Sequence, residues 1–158
     1  MSPRAGLALE RLGRLVPALW LGVLLSVGLL AAPALFALLE RPAAGRVAAR
    51  LFSLEAQASL LLGVALALIE RRRAVAGGGP QLSAELLLVL GAVFCTVLGH
   101  FALQPMMQAA RAGEGRWSFA ALHGASTALF ATKTLFVAAL AWRASMPCTG
   151  PPGTTGSR

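Results

Sequence analysis

The sequence is poor in charged residues and in cysteine, and it contains no tyrosine. Only 13% of its 158 residues are charged, whereas a soluble domain carries about twice that fraction. Too few polar groups therefore remain to cover a water-exposed surface. The two cysteines, Cys95 and Cys148, are too few for a disulfide framework, and no CxxC pair or Cys/His metal-binding spacing is present. Since P-loop, GxSxG and HExxH motifs are also lacking, we expect a membrane protein that is not an enzyme.

The basic residues are almost all arginine. Lysine and arginine together number 14 against 6 acidic residues, which gives a net charge of +8, and Lys133 is the one lysine. The arginines lie between apolar runs and not in a patch with interleaved aromatic residues, which argues against nucleic-acid binding. Arginines that flank apolar runs are typical of topology signals next to anionic lipid headgroups. Membrane lipids are therefore the expected partners.

Four apolar runs are long enough to cross a bilayer, whose core of about 30 Å needs roughly 20 helical residues. They predict membrane-spanning helices at about 15–39, 46–69, 86–108 and 118–142. These runs must be helical because a lipid-exposed backbone has to satisfy its own hydrogen bonds. The predicted fold class is all-α, an integral membrane four-helix bundle, with a cytoplasmic N-terminal segment (1–14) and a disordered C-terminal tail (143–158).

The first run also admits a second interpretation, because a basic segment precedes it and its "AAPA" stretch resembles a signal-peptidase site. A signal peptide has an apolar core of about 7 to 15 residues. This run, from Leu15 to Leu39, is longer and continues beyond the candidate cleavage site, which favours a retained helix. We expect Pro33 to kink this helix, and Pro105 to bend the third helix without ending it.

Polar residues inside the predicted helices form a candidate cluster. The second helix is counted from Leu51, and each residue rises about 1.5 Å. Four side chains then lie at one depth, about 6 to 9 Å inside the outer boundary: Glu55, His100, Gln104 and His123. Ser126 completes the cluster. Hydrogen bonds between helices that fix the packing are one interpretation. The other is a site for protons, ions, a quinone or haem, with the two histidines as candidate haem ligands; no other cofactor and no metal site is expected.

Lys133 lies near mid-membrane, about fifteen residues from the outer end of the fourth helix. A lysine at that depth costs at least about 2.5 kcal/mol on insertion scales. The same count puts Glu55 roughly 15 Å away in depth, so an ion pair between the two is rejected. The residues level with Lys133 are Ser26, Ser59, Cys95 and Thr96. We expect a water-filled cavity, open to the outer side, with Lys133 at its floor; the alternative is a dry bundle in which the lysine is neutral or points towards lipid.

Small residues recur at every fourth position in each predicted helix. Ladders of this kind let membrane helices approach closely, and their presence in all four runs favours a tight bundle. The ladders are Ala18, Gly22 and Ser26 in the first helix; Ser59, Gly63 and Ala67 in the second; Gly91, Cys95 and Gly99 in the third; and Ala120, Gly124 and Ala128 in the fourth.

Two parts of the chain carry motifs of a known family. The stretch "GLLAAPALFALLERPAAGRVAARLF" contains AP-x-LF and AG-x-V-x-x-x-LF elements, and "LQPMMQAAR" precedes "FAALHGAS" with its F-x-x-x-HG-x-S element. Their order and spacing, over about residues 12–142, resemble the transmembrane protein 205-like family, a domain of unknown function (DUF4149). The resemblance implies a four-helix integral membrane protein without an established biochemical activity. Its motif positions correspond here to Gln104, Pro105, His123 and Ser126. Phe130 stands where some relatives carry an asparagine.

These features predict a multi-pass protein of the bacterial inner membrane that acts as a scaffold, an assembly factor or a lipid-interacting protein. The alternative is a small membrane site that handles protons, ions, a quinone or haem, built on Glu55, His100, His123 and Lys133. Another copy of the chain and other membrane proteins are further candidate partners. An absorbance spectrum of the purified protein tests the haem alternative, since haem gives a Soret band.

The distribution of arginine predicts the topology. The N-terminal segment, the second connection and the tail carry eight arginines, and the first and third connections carry five, so the positive-inside rule places both termini in the cytoplasm. Reporter fusions after Arg73 and after Arg143 should therefore be active only with a cytoplasmic reporter. Activity of a periplasmic reporter at both positions would invert this topology.

Overall fold

The computed structural model describes residues 3–77 and 82–146. Its helices, in chain order, are α1 (Pro3–Leu25), α2 (Ala32–Leu38), α3 (Arg41–Gly77), α4 (Ala84–Val97), α5 (Gln104–Arg111) and α6 (Phe119–Ser145). π-Helical segments at Ser26–Ala31 and Leu98–Leu103 join α1 to α2 and α4 to α5. The helices long and apolar enough to cross a membrane are span 1 (Gly6–Leu38), span 2 (Arg41–Ala76), span 3 (Ala84–Arg111) and span 4 (Phe119–Ser145). The predicted all-α, four-helix membrane architecture is confirmed.

The first two helices begin well before the apolar runs that predict them. The first is helical from Pro3, well before the predicted boundary at residue 15, and the second begins at Arg41 and not at residue 46. Pro42 does not delay the second helix, because N–H groups in the first turn have no partner within the helix and the missing one costs little. Most of the predicted tail, residues 147–158 with Cys148, lies outside the described residues.

Serine side chains mark the starts of spans 3 and 4. The hydroxyl of Ser83 accepts a hydrogen bond from the N–H group of Leu86 at 3.1 Å, and that of Ser118 accepts one from Ala121 at 3.2 Å. Each bond satisfies an N–H group that the helix itself leaves without a partner. Both helices therefore begin where a capping serine precedes an apolar run.

Spans 1 and 3 contain a wider turn just before a proline. The π-helical segments Ser26–Ala31 and Leu98–Leu103 each end two residues before a proline, Pro33 in span 1 and Pro105 in span 3. Proline has no N–H group to donate, and its ring collides with the carbonyl of the preceding regular turn. A π-helical turn accommodates this conflict without ending the helix. Span 3 continues past Pro105 to Arg111, as predicted.

The four spans pack in a ring. Span 1 contacts spans 2 and 4, and span 3 contacts the same two, so spans 2 and 4 lie diagonally across the bundle. Consecutive spans run antiparallel. The guanidinium of Arg73, near the end of span 2, donates to the carbonyl oxygens of Leu9 and Glu10 near the start of span 1. The buried core between the spans comprises Trp20, Leu24, Leu66, Val89, Ala92, Val137 and Leu140. We call the end where span 1 begins the N-terminal end, and the opposite end, which holds His123, the histidine end.

Two of the four small-residue ladders face the interior. Ser59, Gly63 and Cys95 are buried in spans 2 and 3. In contrast, Gly22 in span 1 and Gly124 in span 4 are exposed, with no atom of another residue close to where a Cβ would lie. The prediction that all four ladders support close packing is therefore wrong for spans 1 and 4, because periodicity alone does not say which face of a helix meets its neighbours.

Gly63 and Gly22 form a matched pair for testing this packing. A Cβ atom at Gly63 would lie 2.5 Å from Cγ2 of Val93 and 3.2 Å from Cη2 of Trp20. Gly63→Val should therefore lower the free energy of unfolding in detergent by about 1–3 kcal/mol, the usual cost of overpacking. Gly22→Val carries the same change in helix propensity and should unfold near the wild-type temperature. Equal melting temperatures for the two variants would contradict the packing of spans 1, 2 and 3 around Gly63.

Candidate functional site

A buried ion pair crosses the centre of the bundle. The Nζ atom of Lys133 in span 4 lies 2.8 Å from Oε1 and 2.9 Å from Oε2 of Glu55 in span 2. Each residue is only 4% exposed. Because spans 2 and 4 are diagonal partners, this pair joins them directly across the centre of the bundle.

Two further buried side chains extend the pair to span 1. The hydroxyl of Ser59, one turn after Glu55, donates to Oε1 of the carboxylate at 2.5 Å. The indole Nε1 of Trp20 donates to the oxygen of Ser59 at 2.8 Å. Both residues are fully buried. The four residues form a chain of hydrogen bonds, which we call the central network, and it joins spans 1, 2 and 4.

Aromatic rings cover the lysine side of this network. Nζ of Lys133 lies 5.0 Å from the ring centroid of Phe130, within the range of a cation–π interaction. Phe130 also meets Phe52 edge to face, with centroids 5.4 Å apart. A Cβ at Gly28 would lie 2.8 Å from Cε1 of Phe130, so glycine is needed there for the ring to approach span 1. The ammonium group therefore has a carboxylate and an aromatic ring as immediate neighbours.

The expectation that Glu55 and Lys133 are far apart in depth is wrong. It counted the second helix from Leu51, but that helix begins at Arg41. Glu55 is fourteen residues after Arg41, and Lys133 is fourteen residues after Phe119, where span 4 begins. Since spans 2 and 4 run in the same direction, equal counts place the two side chains at one depth, about 21 Å along each helix.

The expected water-filled cavity at Lys133 is replaced by the direct ion pair. The side chains of Lys133 and Glu55 are 5% and 3% exposed, so the amine is held by a carboxylate and not by solvent. The sequence predicts four residues level with Lys133. Ser59 belongs to the central network, and Cys95 and Thr96 are buried. Ser26 is exposed.

The candidate polar cluster is not one layer. Lys133 is ten residues beyond His123 in span 4, about 15 Å along the helix, so Glu55 is equally far from that histidine. His123 is exposed, and its ring stacks on Phe119 with centroids 5.7 Å apart. His100 is half-buried beside Phe101. Glu55 is therefore not part of this cluster and belongs to the central network.

The remaining members of the cluster have fewer contacts. Gln104 and Ser126 are half-buried, and among the described residues their side chains make no hydrogen bond with each other or with His100. The ion pair of Glu85 with Arg143, at 2.6 Å, shows which residues of spans 3 and 4 lie at the same depth. Counting from that pair, His100 falls about one helical turn deeper than His123. Over the described ranges no group of three or more His, Cys, Asp or Glu side chains could hold a metal ion.

Sequence reasoning also missed Trp20 as part of the site. A tryptophan within an apolar run gives no sign of its hydrogen-bond partner, although a buried indole N–H group usually has one. Glu55 and Ser59 did carry a signal, because residues four apart share a helix face.

The geometry defines an integral membrane four-helix bundle with an internal ion pair. The family model described as domain of unknown function (DUF4149) matches residues 15–116. The chain belongs to this family, and span 4 with Lys133 lies beyond the matched residues. No curated protein and no solved structure matches the chain.

Replacing Lys133 tests the central network. Lys133→Met leaves the buried carboxylate of Glu55 without its cation, and loss of one partner of a buried pair costs about 3–5 kcal/mol. We therefore expect a clear fall in the melting temperature in detergent. The double variant Glu55→Gln with Lys133→Met removes both charges and should recover most of the loss.

A thermodynamic cycle over the wild type, the two single variants and the double variant measures the coupling. Additive effects of the two substitutions, or a gain in stability for Lys133→Met alone, would contradict the ion pair.

Proposed function

We propose that the protein is a non-catalytic, lipid-binding protein of the bacterial inner membrane, with both termini in the cytoplasm. The observation that carries this proposal is a cavity of about 560 Å³ at the N-terminal end of the bundle. All four spans contribute to its wall. Its size is within the usual range of small-molecule sites, roughly 300–1,000 Å³.

The cavity wall combines apolar and charged side chains in a way that suits a lipid headgroup. Leu9, Pro17, Leu66 and Leu140 supply apolar surface. The charged residues are three glutamates and three arginines: Glu10, Arg14, Glu70, Arg73, Glu85 and Arg143. Equal numbers of the two signs favour a ligand that carries both charges, such as a phosphoethanolamine headgroup. Its phosphate would accept hydrogen bonds from arginine, and its ammonium would donate to a carboxylate.

Two of the three arginines of this cavity, Arg73 and Arg143, form ion pairs with glutamates. Arg73 pairs with Glu70 at 2.9 Å and contacts Gly13, where any Cβ atom would collide with the guanidinium. Its Nε atom is buried and has no hydrogen-bond partner. Arg143 pairs with Glu85 through a half-exposed side chain. Arg73 is thus built into the bundle, whereas Arg143 can turn towards a ligand.

Lipid retention by the purified protein tests this function. Native mass spectrometry of the full-length protein, purified in detergent and titrated with dioctanoyl-phosphatidylethanolamine, should show a bound lipid. Arg143→Gln should weaken binding by on the order of 10-fold, because one charge-assisted hydrogen bond is lost. Arg72→Gln removes an exposed arginine at the same end that does not line the cavity, and it should bind like the wild type. Equal losses in both variants, or no binding at all, would overturn the proposal.

Proton handling is a second candidate, and the buried Glu55–Lys133 pair is the observation that favours it, because intramembrane ionisable residues often mark proton pathways. The double variant Glu55→Gln with Lys133→Met separates the two functions. In proteoliposomes that contain a pH-sensitive dye, proton flux that is present in the wild type and lost in this variant would support proton handling. Lipid binding at the N-terminal end should be unaffected by the same substitutions.

A further inference from the structure

We propose that the histidine end carries a separate site for the phosphate group of an anionic ligand, formed by Arg41 and Arg111. A second cavity, of about 540 Å³, lies there between spans 1 to 4. Its residues are Phe36, Arg41, Pro42, Gly45, Arg111, Phe119 and His123. Both arginines reach this one cavity, although they are 70 residues apart in the sequence.

The charge of this cavity is unbalanced. No acidic residue is among those that line it. Within the described part of the chain, neither Arg41 nor Arg111 forms an ion pair or a side-chain hydrogen bond. Two guanidinium groups on one cavity repel each other unless an anion lies between them. The excess of positive charge therefore favours an anionic ligand. The N-terminal cavity has equal numbers of acidic and basic residues and so has no such excess.

Aromatic packing holds part of the site in place without neutralising its charge. The guanidinium carbon of Arg111 lies 4.7 Å from the ring centroid of Phe119, and the ring of His123 stacks on the same phenylalanine. A Cβ atom at Gly45 would lie 3.9 Å from Arg111, so this guanidinium also packs against span 2. Arg111 is thereby oriented while its N–H groups stay free to donate.

Phosphate is the anion that best fits these donors. A planar guanidinium donates two parallel hydrogen bonds to phosphate oxygens, which a point charge such as lysine cannot reproduce. Basic pockets between membrane helices bind anionic headgroups on the cytoplasmic side of membranes, and the same charge attraction applies at the histidine end. The position of the cavity, at one end of four apolar spans, makes a phospholipid one source of the phosphate and a soluble phosphate the other. The exposed aromatic ring of Phe36 supplies an apolar wall for the glycerol and first methylenes of a lipid.

The test compares two pairs of arginines at the same end of the bundle. The full-length protein in detergent is titrated with dioctanoyl-phosphatidylglycerol, and binding is measured by calorimetry. Arg41→Gln with Arg111→Gln should weaken binding by on the order of 100-fold, since two charge-assisted contacts are lost. Arg46→Gln with Arg116→Gln removes the same charge from positions that are exposed like Arg41 and Arg111 but lie outside the cavity. It should change binding less than about threefold, because charges that do not contact the ligand are screened by salt.

A control titration and a competition experiment identify the source of the phosphate. Dioctanoylglycerol, which has no phosphate, should not bind. Competition by inorganic phosphate at millimolar concentration would support a soluble phosphate ligand, whereas lipid binding without such competition would support a headgroup. Equal weakening by the two arginine pairs, or binding of dioctanoylglycerol equal to that of the lipid, would overturn the site. If the glutamine pair does not fold, Arg41→Lys with Arg111→Lys keeps the charge and should still bind at least tenfold more weakly than the wild type.

This site does not depend on the lipid-binding function proposed above. Arg143→Gln alters the N-terminal cavity alone and should leave phosphatidylglycerol binding at the histidine end unchanged. Loss of phosphatidylethanolamine binding with retained phosphatidylglycerol binding would count against the first proposal only, and the reverse result would count against the second only.

Discussion

The ion pair between Glu55 and Lys133 is the interaction on which the rest of the bundle depends. A charge in the interior of a membrane protein has no water to stabilise it, so each residue requires the other. Their side chains meet only if spans 2 and 4 lie across the bundle from each other at one common depth. The pair therefore fixes the rotation and the vertical register of two helices that face each other across the bundle, where Phe52 and Phe130 also pack together.

The neighbouring side chains contact the ion pair and stabilise it. Ser59 donates a further hydrogen bond to the carboxylate of Glu55, and Trp20 donates to the Ser59 oxygen, which ties span 1 to the pair. Phe130 covers the ammonium group, and Gly28 leaves room for that ring against span 1. In a medium of low dielectric constant such hydrogen bonds are strong when every member has a partner, and costly when one does not. A satisfied central network is consistent with a structural role for the middle of the bundle.

The two ends of the bundle differ in their charge chemistry. At the N-terminal end the arginines meet glutamates, and both signs of charge face a common cavity. At the histidine end two arginines face a cavity without an acidic residue, and the guanidinium of Arg111 lies over the ring of Phe119. This difference is the basis for proposing a zwitterionic headgroup at one end and a phosphate group at the other. Neither Glu55 nor Lys133 lines either cavity, so both proposed sites are separate from the buried pair.

The sequence by itself determined the fold class and the number of membrane-spanning helices. Long apolar runs in a chain with so little charge leave no alternative to membrane helices, and the persistence of the third helix beyond Pro105 followed from the residues after it. The sequence did not determine depth. A helix boundary misplaced by ten residues shifts every depth by about 15 Å, and Glu55 was assigned to the histidines for that reason. Its true partner was decided by tertiary structure, because the diagonal arrangement of spans 2 and 4 and the faces they turn inward depend on all four helices packing together. The same holds for Trp20 and for the two arginines at the histidine end, since no local pattern shows which distant side chain a helix will meet.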